Sequence, residues 1–314
     1  MKKSTIFFLS LFFIAFLACN SSDDDIVLTD DDQSGGPQSP IELFPENFQA
    51  TGSSANDILS NNNFSSITVE IAFVQGFQPT QQAIDGFEDF LQLHSFKENI
   101  NLVFTELPSP QEADLTLQEI SDLEIENRTV YNDGDNLGVY IYFADAPSEN
   151  DDLDEGLVTL GAVYRNTSMV IYESTIIALA SNSNVVTATD IEGATLNHEF
   201  GHLMGLVNLG TVAINDHEDT TTDDNGNVVG NNHCNVPGCL MLAQLSFNLP
   251  SIRQNISFGK EQGLKSECSL NGHQLLEQLE INAAASSNSD IVPVLDPECR
   301  LDLSGNGGRP STDI

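Results

Sequence analysis

The strongest chemical signal in the chain is His198-Glu199-Phe200-Gly201-His202. Two histidines four apart on a helix stand one above the other on the same face, at a separation that suits one Zn²⁺. Glu199 projects beside them, near enough to take a proton from a water on that ion without being a ligand itself. Gly205 lies three residues past His202, where a glycine with positive φ ends a helix and turns the chain back toward the metal. The helix that must carry these residues is expected from Asp190 to Leu206, with Thr189 or Asp190 as its cap. A third ligand must then come from farther along the chain. Two histidines offer it, His217 in Asn-Asp-His-Glu-Asp and His233 in His-Cys-Asn-Val-Pro-Gly-Cys-Leu-Met.

The segment His198 to Gly205, HEFGHLMG, resembles the opening of the metzincin metallopeptidase signature. That family places a third His two residues after the glycine, whereas this chain has Asn208, whose amide is a poor zinc ligand. Residues 233–241 resemble the His-Cys-x4-Cys-x-Met run of archaemetzincins. The resemblance implies that His233 is the third ligand and that Met241 forms the turn beneath the metal, with residues 207–232 as an insertion. Loop closure grows only logarithmically with length, so such an insertion is tolerable. His217 stays open as the competitor, or as a ligand of a second ion with Glu218 and Asp219.

The same resemblance implies an α+β fold, a metzincin-like zincin with a twisted mixed sheet plus helices and a small irregular C-terminal subdomain. The activity it implies is that of a zinc-dependent endopeptidase with one catalytic Zn²⁺ held by His198, His202 and His233. Glu199 is the catalytic residue, and the substrate is a protein or peptide. Archaemetzincins bind a second zinc with the help of a later Cys-x-x-Cys, which Cys268 and Cys299 do not reproduce. Four cysteines remain after Cys19, and two disulfides are the simpler account, Cys234 with Cys239 and Cys268 with Cys299, out of three possible pairings.

Periodicity locates the elements around this site. Residues 67–74, 100–107 and 137–143 read as strands, 81–96 as an amphipathic helix, and 157–163 with 169–172 as a hairpin turning at Arg165-Asn166-Thr167. This order predicts a sheet covered on one face by helices. The hairpin is expected to offer an edge strand to which an extended substrate adds by backbone pairing. The division expected is an upper subdomain over 59–206, ending in the metal-binding helix, and a lower one over 207–303 with the third ligand, the Met-turn and a helix from about 272 to 285. A frayed tail follows over 304–314. Asp223 to Asn227 has calcium-loop composition without EF-hand spacing, so a hairpin turn is the default and Ca²⁺ the alternative. His94 and His273 read as structural or exposed.

Composition sets the surroundings. The 314 residues include 10 Lys+Arg against 47 Asp+Glu, a formal net charge of -37, which leaves no basic stripe for nucleic acid. With 40% hydrophobic residues and 18 Phe, the chain can still build a core. Residues 1–18 read as a signal peptide, with Lys2 and Lys3 ahead of an apolar run too short to span a bilayer. Phe16-Leu17-Ala18-Cys19 resembles the lipobox of bacterial lipoproteins, which implies lipidation at Cys19 and a monomer anchored in the outer membrane of a Bacteroidetes-like cell, at the surface or in the periplasm. Residues 19–58, with Asp triplets at 23–25 and 30–32, read as an acidic flexible tether. A different class of function stays open beside the peptidase: a surface-exposed binding lipoprotein with a non-catalytic metal site on the same fold. A zinc hydrolase acting on a non-peptide amide is a third possibility.

Overall fold

The computed structural model describes residues 38–152, 158–222, 226–242, 268–285 and 291–310, with backbone only at 268–271, 274 and 285. The signal peptide, Cys19, the Asp triplets and Asp223 to Asn225 therefore lie outside the described residues. No described helix is long and apolar enough to cross a membrane.

Two short helices, α1 (Pro40–Leu43) and α2 (Ala55–Leu59), flank a 3-10 turn at Pro45–Asn47. They are followed by β1 (Ser66–Val74), α3 (Gln81–His94), β2 (Asn99–Leu107), α4 (Leu117–Asn127) and β3 (Asn136–Phe143). Each helical crossover returns the chain parallel, so β1 pairs in parallel with both β2 and β3. The hairpin β4 (Thr159–Arg165) and β5 (Ser168–Ile171) then adds β5 parallel to β3 and β4 antiparallel to β5. Two helices follow, α5 (Glu173–Ala180) and α6 (Ala188–Leu203), and then a separate antiparallel hairpin of β6 (Glu218–Thr222) and β7 (Val228–Cys234). A short strand β8 (Cys268–Asn271) joins the main sheet, and α7 (Gly272–Ala285) and α8 (Pro297–Gly305) complete the order. The sheet runs β2-β1-β3-β5-β4-β8. The fold is α+β, a mixed sheet with helices.

Period-two alternation along the strands assigns the two faces. Ile67, Val69, Ile71, Val139, Ile141 and Phe143 face α3 and α6, where Phe87 and Phe200 meet edge to face at 5.0 Å. Burying each such side chain contributes about 1.5–3 kcal/mol. Tyr140, Tyr142, Tyr164 and Tyr172 face the opposite side, where Leu117 and Ile120 of α4 cover them. The sheet is therefore covered on both faces, not on one as the strand and helix pattern suggested. Helix α4 escapes notice because its exposed face is strongly acidic, and its start is fixed by a Thr116–Glu119 capping box instead of by a long apolar stripe.

Three further expectations are corrected. Residues 40–58, read as the end of a tether, are folded. Ile58 and Leu59 are fully buried, Asn47 Nδ2 donates to the Gly138 carbonyl at 3.1 Å, and Phe44 stacks on Tyr131 at 4.1 Å. Acidic and Ser/Gly-rich neighbours concealed these few anchors. The tail expected from 304 is also packed as far as the described residues go, since Gly308 N–H donates to Leu303 O and Arg309 N–H to His94 O at 2.9 Å. The third correction concerns β4, which is not an edge: β5 lies on one side and β8 on the other.

Candidate functional site

Helix α6 is capped by Thr187, ahead of the cap expected at Thr189 or Asp190. The Thr187 hydroxyl accepts the Asp190 N–H, and the Asp190 carboxylate accepts the Thr187 N–H at 2.8 Å. It ends with Gly205 at φ 79°. Gly205 N–H donates to His202 O at 3.0 Å, and Leu206 N–H to Gly201 O at 3.1 Å, the paired bonds of a Schellman cap. Asn208, also left-handed at φ 63°, donates to Glu218 Oε2 and accepts from Ala213 N–H, so it serves the turn and not the metal site.

The helix brings His198 and His202 together with Nε2 to Nε2 at 3.2 Å, close to the edge of a tetrahedron with Zn–N bonds of about 2.0–2.1 Å. His233, at the end of β7, completes the group, and one ring nitrogen of each of the three lies within 4.8 Å of the others. Ring centroids are 4.9 Å apart for His198 and His202, 5.3 Å for His198 and His233, and 5.4 Å for His202 and His233. Of the two histidines left open, His233 enters this cluster and His217 does not.

Backbone carbonyls fix two of the three tautomers. His198 Nδ1 donates to Leu240 O at 2.8 Å, and His233 Nδ1 donates to Asn231 O at 2.8 Å. Each ring therefore presents Nε2, unprotonated, to the shared space. Burial lowers the pKa of His198 to about 3 and that of His233 to about 4, and holds His202 well below the usual range, so all three are neutral donors.

Met241 lies beneath this group, fully buried. A Cβ added to Gly201 would come within 2.5 Å of Met241 Sδ, which explains a glycine in a helix interior at a cost of about 1 kcal/mol relative to alanine. Met241 O accepts the Cys234 N–H at 2.8 Å, and Leu240 N–H donates to Val294 O at 3.0 Å. The same turn therefore supports the helix from below and holds His198 from the side.

Glu199 is fully buried, and neither carboxylate oxygen makes a well-formed hydrogen bond among the described residues. Burial pushes its pKa well above the carboxylate range, and the Val163 amide gives only a partial counterweight. A buried carboxylate so weakly satisfied, next to three neutral imidazoles, fits a site built to receive a cation and a water.

A second donor cluster replaces the two expected disulfides. Cys234, Cys239 and Cys299 are free and buried, with Cys239 Sγ 3.6 Å from Cys299 Sγ. The Cys234–Cys239 bond is therefore not formed, nor does Cys299 bond to Cys268, whose side chain lies outside the described residues. His217 Nδ1 sits 3.4 Å from Cys234 Sγ and 4.0 Å from Cys299 Sγ, while its Nε2 donates to Asp302 Oδ2 at 2.8 Å. A tetrahedral zinc with bonds of about 2.3 Å to sulfur and 2.0–2.1 Å to nitrogen needs donor separations of this size. Asp296 Oδ2 lies 3.2 Å from Cys234 Sγ, so two acidic groups there share a proton or a cation. Hydrogen bonds from Cys239 and Cys299 push the Cys234 thiol down, and the thiols that donate them are pushed up. Burial lowers the His217 pKa, but hydrogen bonds to Asp302 and Cys234 outweigh it and the net shift is upward. Asp296 and Asp302 went unrecognised in the sequence, and Cys299 was expected in a disulfide, because α8 lies far along the chain from Cys239. The signal available was the Cys234–Cys239 spacing with a spare histidine upstream.

Strands β6 and β7, on either side of the Asp223 to Asn227 segment, pair antiparallel, and Asp223 to Asn225, with the calcium reading that rests on them, lie outside the described residues. His94 is buried at the end of α3, where burial and then Arg300 lower its pKa to about 4. His273 is exposed at the start of α7.

No protein-family model matches the chain, and no curated protein does. Among solved structures, the crystal structure of archaemetzincin from Methanopyrus kandleri is similar to this chain, at 14% identity over 77% of this chain and 96% of that chain, with a TM-score of 0.40.

Proposed function

We propose that the chain is a zinc-dependent endopeptidase. The observation that carries this reading is the convergence of three neutral imidazoles, two of them oriented by backbone carbonyls, beside a fully buried carboxylate whose one named counterweight is the Val163 amide. When bound by His198, His202 and His233, zinc supplies Lewis acidity toward a peptide carbonyl and a water. Leu240 O and Asn231 O keep His198 and His233 in the donor tautomer and hold their rings in place. Glu199, raised in proton affinity by burial, accepts the proton of the attacking water and returns it to the departing amine. Met241 holds the floor of the site at fixed depth under Gly201. The second donor set is closed, with no corner left for solvent, and serves a structural zinc that ties α8 to the Met241 turn.

Hydrolysis of denatured casein, with and without a chelator, tests the reading. Cleavage abolished by the chelator and by Glu199→Ala is expected, and equal rates for wild type and Glu199→Ala would remove it. The full burial of Glu199 and the paired flank of β4 favour one alternative, a binding protein that keeps the metal without turnover. That protein would retain zinc and cut nothing at any substrate length. We also propose, from Ala18-Cys19 and the acidic run after it, that the enzyme is a monomer lipid-anchored at the cell envelope and acts on proteins or peptides rather than nucleic acid. Metabolic labelling with palmitate, lost in Cys19→Ala, tests the anchor.

A further inference from the structure

Strand β8 pairs antiparallel with β4, with Cys268 opposite Val163, Ser269 opposite Ala162 and Asn271 opposite Thr159. This is the part of β4 that touches the proton-transfer residue. A Cβ on Gly161 would meet Glu199 Cγ at 2.7 Å, and the Val163 amide acts on the Glu199 carboxylate. Because Gly161 and Val163 of β4 lie against Glu199, an extended peptide paired directly with β4 is the one this arrangement brings nearest to that carboxylate. A lane outside β8 lies about 4.8 Å farther away, one strand spacing.

We propose that β8 is an internal stand-in for the substrate backbone, and that a peptide reaches the site by displacing β8 from β4. This rests on the peptidase reading and adds its regulation. Three features make β8 displaceable but persistent. It has four residues, and its ladder is irregular between Thr159 and Ala162. It runs directly into α7, whose Leu275 and Leu279 are buried and whose Glu280 accepts from Ser183 Oγ at 2.7 Å. A displaced β8 therefore stays tethered by α7 and competes at high effective concentration. Exchange of one strand for another conserves backbone hydrogen bonds, so a small loss of pairing on the β8 side tips the balance.

The test uses the full chain loaded with zinc, in a Glu199→Ala background so that bound substrate survives, with fluorescein-labelled denatured casein as the probe. Hydrogen exchange of the 268–271 amides is expected to accelerate at saturating casein while the 159–163 amides stay protected. Ser269→Pro, which removes one N–H from this four-residue strand and fixes its φ, is expected to weaken the pairing and tighten casein binding about tenfold. A Thr159→Cys/Asn271→Cys pair, oxidised across the two strands, is expected to weaken it at least as much, with recovery on reduction. Casein bound with 268–271 still protected, or an affinity indifferent to the cross-link, overturns the proposal, and the cross-link alone decides if Ser269→Pro does not fold. Should no variant bind casein, wild-type hydrolysis separates the cases. Cleavage by wild type leaves the peptidase reading standing and removes only the stand-in, whereas no cleavage removes both.

Discussion

His233 and Cys234 are consecutive in β7, yet their side chains enter different donor sets: His233 meets His198 and His202, and Cys234 meets Cys239, Cys299 and His217. Alternation along a strand places neighbours on opposite sides, so one peptide unit joins the two groups. The prediction is two zinc ions per chain in the wild type. His233→Ala should lose the ion of the imidazole group and keep that of the cysteine group, and Cys299→Ser should do the reverse, with elemental analysis of purified protein as the measurement. A wild type holding a single ion that survives His233→Ala would mean that the imidazole group is not a metal site.

At Gly201, in the interior of α6, Met241 Sδ leaves no room for a Cβ. Gly201→Ala should cost about 1–3 kcal/mol through overpacking, despite the better helix propensity of alanine. Thermal denaturation and zinc titration together check this, since a shifted Met241 also moves the Leu240 carbonyl away from His198. An unchanged midpoint would show that Met241 yields freely.

Glu124 is fully buried between two arginines, with Arg128 Nη1 at 2.7 Å and Arg165 Nη1 at 3.2 Å, and accepts the Ser168 hydroxyl at 2.6 Å. Arg165 also lies over the Phe48 ring at 4.5 Å, so this network fastens the N-terminal segment to the sheet. Glu124→Ala should cost about 3–5 kcal/mol, because it strands two buried cations. Urea unfolding measures it, and a loss below about 1 kcal/mol would show that the arginines repair themselves with water.

Glu173 and Glu192 are buried close together, and burial followed by the Glu192 charge raises the Glu173 pKa to about 9, while burial raises Glu192 to about 7. Both folded values lie above the unfolded value, so the folded state holds more protons and stability falls as pH rises from about 4.5 toward 9. Glu173→Gln removes its share. Its stability gain over wild type should be near zero at pH 4.5 and grow by up to about 1.4 kcal/mol per pH unit. Denaturant midpoints at a series of pH values check the slope, and a gain constant with pH would mean Glu173 is ionised in the folded state.

Much of this architecture was legible in the residues themselves. β1, α3, β2, β3 and the β4–β5 hairpin follow from alternation, helical spacing and a turn at Asn166-Thr167, and α6 follows from His198, Glu199 and His202. What escaped was long-range. The role of Leu240 is played by a carbonyl, which no side-chain pattern reports. Cys299 and Asp302 join Cys234 only through the packing of α8, so a count of even cysteines suggested bonds where the fold makes a shared pocket. β8 is four residues long, too short for a periodicity to register, yet it changes β4 from an edge into an interior strand.

Helix α8 also sets an order of events. Cys299 follows Cys239 by sixty residues, so the donor group around Cys234 and Cys239 is completed only when α8 docks. Without α8 the group lacks Cys299, and with it the thiol 3.6 Å from Cys239 Sγ. Folding of this chain therefore depends on three thiols from distant segments still being reduced when its last helix packs.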